Sequence, residues 1–461
     1  MQPRLTELTI KPAEAAIVTL ILLAGISFCI IKLELVPHIP VVFAIMGLML
    51  YGLLKKVPVH SLEAGLAEGA KSGLGAIMIF FFIGMLISSW MASGTIPTFM
   101  YLSFEFVSGK WFYAVVFFIT SAVGISIGSS LTTAATVGSA FVAVAGAMGL
   151  SPAITAGAIV SGAFFGDKMS PLSDTTTLAS STLKVDLFDH IKNMAWTTIP
   201  AFVLSFVLFI ILSPENPGAG FEKVALFRQE LLDMNLIHWY SLIPFFILAV
   251  MAIKKVPAIM TLASGTVSAL LISFVITSRS EWGSLLTSLY SGYKADTKVE
   301  EVSALLSRGG LESMMFSISL VLLALSMGGL LFRLGILPAL LSGMSQSLER
   351  TSILFSSAAA TSIGINFLLG EQYLSIILTA NAFEERFRKA GLHPRNLSRV
   401  LEDAGTVVNP LVPWGVCGVF LTGVLSVPTI DYLPFSFFCL LSPVLTILAG
   451  ISGITVSKLE N

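Results

Sequence analysis

The chain has 461 residues, 55% of them apolar and only 11% charged, with a formal net charge of −1. Soluble domains carry about 25% charged residues, so this composition, with a mean hydropathy of +0.90, excludes a soluble protein and describes an all-α polytopic membrane protein. The near-zero charge and the lack of a basic run argue against a nucleic-acid partner. Cys29, Cys417 and Cys439 each sit in an apolar run and read as lone buried thiols rather than a disulfide or metal site.

Apolar stretches of spanning length, about 20 residues each, fall at 15–33, 36–54, 73–94 and 111–149. The first is long enough to span, and no small-residue cleavage pattern follows it before Lys32 and Glu34, so it reads as a retained helix. The fourth is too long for one straight helix. Its middle, Gly124 to Thr136, is small, hydroxyl-rich and uncharged. That composition suits close helix packing, and equally an unwound helix that offers hydroxyls and carbonyls to a cation. Pro152 to Gly166 is short for a span and, with the polar stretch that follows, reads as a re-entrant pair of half-helices. A full helix is expected at 191–213, then a polar loop from Pro214 to His238. Spans at 237–253 and 258–277 bracket Lys254-Lys255-Val256-Pro257. A mixed-charge loop runs from Ser278 to Gly309, followed by spans at 311–333 and 351–380, a broken region at 398–427 and a last helix within 430–456. No extended polar segment leaves room for a soluble domain.

The stretch from Gly162 to Ala179 stands out. It packs Asp167, Lys168, Ser170, Ser173, Asp174 and three threonines into an apolar sequence, with Gly166 and Pro171 interrupting any regular helix. Charge at membrane depth is costly, and irregular backbone is tolerated there only inside protein or along a wet cavity. A segment that breaks both rules is the expected site.

The second half repeats the first, as in transporters built from two related halves. Ser126-Ile127-Gly128 recurs as Ser362-Ile363-Gly364 and Asp167 as Asp403, both at an offset of 236. Gly73-Leu74 recurs as Gly310-Leu311 at 237, and Gly149-Leu150-Ser151-Pro152 as Gly391-Leu392-His393-Pro394 at 242. The division is a first membrane repeat with flanking helices at 1–235 and a second at 236–461. Five expected spans separate the two Gly-Leu-x-Pro positions, and an odd number inverts topology. The second of these turns carries Arg386, Arg388, Lys389, Arg395 and Arg399, which the positive-inside rule places in the cytoplasm; Lys55, Lys56, Lys254 and Lys255 then face outward against the rule, so absolute orientation stays open.

The counterpart stretch, Leu401 to Gly415, again sets carboxylates beside glycine, hydroxyl, amide and proline: Glu402, Asp403, Thr406, Asn409, Pro410 and Pro413. Upstream, Asn366 and Glu371 fall within the 351–380 span. Hard cations such as Na⁺ take oxygen ligands, including carbonyls freed where a helix unwinds. A carboxylate buried without a counter-charge also holds a proton more readily than in water. One carboxylate can therefore hold H⁺ or Na⁺, each displacing the other, which is the minimum chemistry of an antiporter. No His/Cys cluster, nucleophile–base pair, Walker loop or dinucleotide fingerprint points to an enzyme or to ATP. Blander readings stand beside this one: Lys168 as an ion-pair partner of the adjacent Asp167, Glu402 paired with Arg399 three residues earlier, His190 with Asp186, Asp189 and Lys192 in an interfacial charge cluster, and Arg333 snorkelling at a span end.

Ser161-Gly-Ala-Phe-Phe-Gly-Asp-Lys-Met-Ser-Pro-Leu-Ser-Asp-Thr-Thr176 resembles the signature of the NhaC family of sodium/proton antiporters. Glu402 to Trp414 is similar to that family's second-half motif, and Gly128-Ser-Ser-Leu-Thr-Thr to its broken-helix motif. The resemblance runs over nearly the whole chain. It implies two inverted repeats with discontinuous helices and re-entrant hairpins, alternating access, a homodimer in many members, and a multi-pass place in a bacterial inner membrane. Glu371 stands where the family usually has aspartate, and Asn409 and Gly415 depart from its second motif; such positions can tune ion or substrate choice. The family also includes malate–lactate exchangers and amino-acid carriers.

The expected function is exchange of Na⁺ for H⁺, the alternative being a cation-coupled carrier of a small carboxylate or amino acid. Asp167, Asp174 and Asp403 are the expected Na⁺ and proton sites. Glu371, Ser129, Ser130, Thr132, Thr133, Ser170, Ser173, Asn366, Thr406 and Asn409 are candidate ligands or lining, and Lys168 and Glu402 structural charge partners. The expected partners are the lipid bilayer, small cations and, in the alternative, an organic solute; no resident cofactor is expected.

Overall fold

The computed structural model describes residues 7–106, 111–214, 221–254, 256–277, 279–297, 299, 302–303, 306–343 and 350–459; Lys110 and Lys255 lie outside them. Among these residues the fold is helical throughout, with a single isolated bridge between Leu392 and Lys458. Lipid offers no hydrogen bonds to the backbone, so apolar stretches satisfy it internally as helices. Seven helices among the described residues are long and apolar enough to cross a membrane, and two bent pairs raise the number to nine. They differ in how they face their surroundings. The apolar window of Pro12–Ile31 is only 17% buried, leaving Leu20, Ile21 and Phe28 outward, whereas that of Ser130–Ala147 is 89% buried. The latter belongs to the core.

Two helices of that core are broken. Phe112–Ile127 ends on Gly128 at φ +71°, and the chain restarts at Ser130 with Ser129 as N-cap. Thr351–Leu369 ends on Gly370 at φ +67° and restarts at Gln372 with Glu371 as N-cap, so the expected 351–380 span is interrupted where its acid sits. A left-handed residue at each stop favours glycine, which has no Cβ to strain. Each broken helix packs against a pair of helices joined by a short turn: Pro152–Met169 with Asp174–Thr182 in the first half, Pro394–Leu411 with Val416–Leu425, bent by 47°, in the second. In the first half the contact is made by Gly162-x-x-x-Gly166 against Thr120 and Gly124, small residues that let backbones touch. A Cβ on Gly166 would lie 2.5 Å from the Gly124 Cα.

Cap residues recur through both halves at one spacing. Gly128 and Gly370 stop the broken helices, and Ser129 and Glu371 restart them. Ser151 and His393 cap the hairpins, Ser170 and Val412 end their first arms, and Ser173 and Gly415 open their second arms. Every pair is 242 positions apart. The caps thus share an offset of 242, that of the two Gly-Leu-x-Pro turns, and not the 236 that pairs Gly128 with Gly364 and Asp167 with Asp403. Asp167 falls opposite Asn409, and Asp403 opposite Ser161.

The polar connections also hold more helix than expected. Phe221–Asp233 lies within the Pro214–His238 loop and Trp282–Ser291 within 278–309, while Val59–Ser72, Thr95–Phe106 and Ile336–Gly343 add short elements. Arg333 does not simply reach for the interface; it forms an ion pair with Glu7 at 3.1 Å.

Candidate functional site

At the first break the restarted helix places Ser130 so that its hydroxyl donates to the Asp167 carboxylate at 2.7 Å. Asp167 is 5% exposed and comes from the last turn of the hairpin's first arm, with the Ser173 side chain beside it. Ser173 itself caps the second arm, accepting from the Thr176 amide. Asp167, Ser130 and Ser173 are thus brought together. Ser129 and Thr132 bond one another at 2.9 Å, and Thr133 donates to the Ser129 carbonyl, so these hydroxyls build the restart. Ser170 donates to the Ile125 carbonyl at 2.7 Å, one of the acceptors the helix end leaves free. Asp174 is exposed on the first turn of the second arm, where a negative charge is favoured.

Lys168 does not pair with its neighbour Asp167. It crosses to the other half and forms an ion pair with Asp403, both side chains fully buried, while Thr197 donates to the other Asp403 oxygen at 2.8 Å. Adjacent residues on a helix point in different directions, so Lys168 and Asp167 serve separate neighbours. Asp403 is therefore compensated by a cation, unlike Asp167.

Glu402 does not pair with Arg399 either. Arg399 turns to Thr455, donating to its hydroxyl at 3.0 Å, and both Glu402 oxygens are buried with Thr406 as their one hydrogen-bonding neighbour among the described residues. Glu402, Asp403 and Thr406 occupy a π-helical turn, a feature that recurs at functional sites.

At the second break, Glu371 accepts from the Leu374 amide at 2.7 Å. Asn366 donates to the Gly405 carbonyl at 2.6 Å and accepts from Asn409 at 2.9 Å, while the Asn409 side-chain Oδ1 accepts from the Cys417 amide. These asparagines latch the second hairpin to the second broken helix. Trp414 completes the latch by donating to the Phe367 carbonyl at 2.7 Å. Phe367 is the 242-register counterpart of Ile125, so each half satisfies the same freed carbonyl from its hairpin turn, once with a serine and once with an indole.

Sequence reasoning missed the face of Leu187–Leu212 that ties the halves together. His190 is fully buried rather than interfacial; its Nδ1 is 2.8 Å from the Ser398 hydroxyl, Asn193 donates to the Arg395 carbonyl at 2.6 Å, and Thr197 reaches Asp403. The signal was present as polar residues at i, i+3 and i+7 on one side of an apolar helix.

A cavity of about 470 Å³ reaches both breaks, lined by Leu131 on one side and Glu371, Gln372, Tyr373 and Cys417 on the other. Glu371 is the one charged group among its described lining residues.

A multi-pass helical protein with two broken helices, two hairpins and buried carboxylates between them has the construction of a secondary transporter. Comparison with known proteins makes this particular. The model of the Na⁺/H⁺ antiporter family matches residues 162–454. The chain is 39% identical to the Na⁺/H⁺ antiporter NhaC of Alkalihalophilus pseudofirmus over 95% of this chain and 96% of that one. It is 37% identical to the Na⁺/H⁺ antiporter NhaC of Bacillus subtilis, covering 93% and 95%. It is also 37% identical to the arginine/ornithine antiporter ArcD of Halobacterium salinarum, covering 84% and 81%. The protein belongs to the Na⁺/H⁺ antiporter family.

Proposed function

We propose that the protein exchanges Na⁺ for H⁺ by alternating access in a bacterial inner membrane, its two repeats lying inverted and its hairpins entering the membrane without crossing it. The observation that carries this reading is Asp167. It is a buried carboxylate with hydroxyl neighbours and no cationic partner among the described residues, at a broken helix beside an ion pair that joins the two halves. A carboxylate in that position is neutralised by a proton or by Na⁺. With either bound, the hairpin carries little net charge through the apolar core; with neither, movement is opposed. Competition for one carboxylate couples the two flows. The Lys168–Asp403 pair holds the hairpins together while this occurs. Na⁺ is cargo here, and the comparison with the two NhaC antiporters supports the same assignment.

One observation favours a second reading. The cavity is large enough for an organic solute, and Glu371 gives it a negative lining with no cation among the described residues. That chemistry suits a cationic amino acid better than a carboxylate such as malate, and the arginine/ornithine antiporter is as similar in sequence as one of the Na⁺/H⁺ exchangers.

Proteoliposomes with an internal pH dye separate the two. Proton movement on adding NaCl alone, lost in Asp167→Asn, supports Na⁺/H⁺ exchange. No response until arginine or another solute is added, with that response weakened in Glu371→Gln, supports the second reading and contradicts the first.

A further inference from the structure

Glu402 is a buried acid that neither the exchange at Asp167 nor the cavity beside Glu371 explains. Its side chain is 0% exposed, and so is that of Thr406 four positions on. Among the described residues Thr406 is the one hydrogen-bonding neighbour of the Glu402 carboxylate, and neither side chain has another partner. Three hard oxygen atoms on one π-turn thus share a single contact in the interior. Buried polar atoms are almost always satisfied, and a buried carboxylate is tolerated only when something neutralises it.

The surrounding groups do not supply that partner. Lys168 lies within electrostatic range of Glu402 but its ammonium is committed to Asp403. Arg399, on the preceding helical turn, bonds to Thr455. His190 bonds to Ser398. Asp167 and Asp403 are also in range and carry the wrong sign to help. One carboxylate with a neutral hydroxyl on a single turn suits a monovalent hard cation, which takes oxygen ligands and carries the one charge needed to neutralise the acid.

We infer that Glu402 and Thr406 form a further Na⁺-binding point, built into the second hairpin and facing the Asp167 site across the Lys168–Asp403 pair. This inference rests on the Na⁺/H⁺ reading of the same core. Na⁺ arriving at Asp167 has a second oxygen cluster within electrostatic reach, so a cation can be passed between hairpins that belong to opposite repeats.

The test measures the NaCl dependence of dye-reported proton flux, and equilibrium ²²Na⁺ binding, in the full-length protein. Glu402→Gln keeps the shape of the side chain and removes its charge. It raises half-saturating Na⁺ by about tenfold or more, by analogy with the loss of a supporting partner at a metal site. Thr406→Val shifts it in the same direction and Thr406→Ser restores it, a pattern that packing alone would reverse, since valine is the closer match in volume. If Glu402→Gln does not yield folded protein, the Thr406 pair decides. Unchanged Na⁺ dependence in both Glu402→Gln and Thr406→Val, with flux still lost in Asp167→Asn, overturns the inference and leaves the Na⁺/H⁺ reading standing. A wild-type protein that moves no protons on NaCl addition overturns both.

Discussion

Removing either partner of the Lys168–Asp403 pair is the most informative perturbation of the core. Asp403→Leu leaves the Lys168 ammonium 0% exposed and without its hydrogen-bonded carboxylate, the Phe438 ring lying 5.6 Å away. Lys168→Met leaves Asp403 with only the Thr197 hydroxyl at 2.8 Å. Breaking a buried pair from one side costs about 3–5 kcal/mol, most of it the burden of an uncompensated charge, whereas replacing both partners by apolar groups is near neutral. The double variant Lys168→Met/Asp403→Leu removes both charges. It leaves Thr197 still bonded to the Met194 carbonyl at 3.1 Å, so no new polar atom is orphaned there. Thermal unfolding in detergent, followed by size-exclusion chromatography after heating, ranks the four proteins. Both singles are expected well below wild type and the double close to it, with a coupling energy of at least about 2 kcal/mol. A double variant that loses the sum of the two single effects would refute the account, because the residues would then act separately and the halves would not be joined by this pair.

Three further outcomes follow from other contacts. Gly166→Ala drives a Cβ to 2.5 Å from the Gly124 Cα, so folded yield collapses on size-exclusion chromatography; Gly364→Ala, with nothing within 4 Å of its Cβ, leaves yield unchanged. Ser130→Ala deletes the 2.7 Å donor to Asp167 and raises half-saturating Na⁺ in proton-flux assays by about tenfold, the scale of a hydrogen bond to a charged group. Trp414→Phe keeps the ring but frees the Phe367 carbonyl, lowering stability by about 1–3 kcal/mol and speeding amide exchange at the end of Thr351–Leu369.

Much of this core was legible in the sequence. Gly162-Ala-Phe-Phe-Gly-Asp-Lys gave away both its packing glycines and its buried acid, because charge in an apolar run needs a reason. The excess length of 111–149 pointed to an interruption near Gly128, whereas the break at Gly370 was read as part of one continuous 351–380 span. The partners were not. Lys168 finds its mate 235 positions away, and nothing local distinguishes Asp403 from the neighbouring Asp167 as the choice. The spacing of Arg399 and Glu402 suited a helical pair, yet Arg399 found Thr455 near the chain end. The repeat register was misread because matching carboxylates at 236 drew attention away from caps. Backbone caps recur at 242, where an aspartate in one half is answered by an asparagine in the other. At that offset Asp167 accepts from the Ser130 hydroxyl while Asn409 donates to the Asn366 side chain.

The central claim is that Asp167 is where the proton and Na⁺ compete. Its most direct test is ²²Na⁺ uptake into proteoliposomes loaded at acid pH and diluted into alkaline buffer, comparing wild type with Asp167→Asn in protein of equal folded yield. The account predicts that the wild type accumulates ²²Na⁺ as the pH gradient collapses and that the variant does neither. Gradient-driven ²²Na⁺ accumulation by Asp167→Asn at the wild-type rate would contradict it.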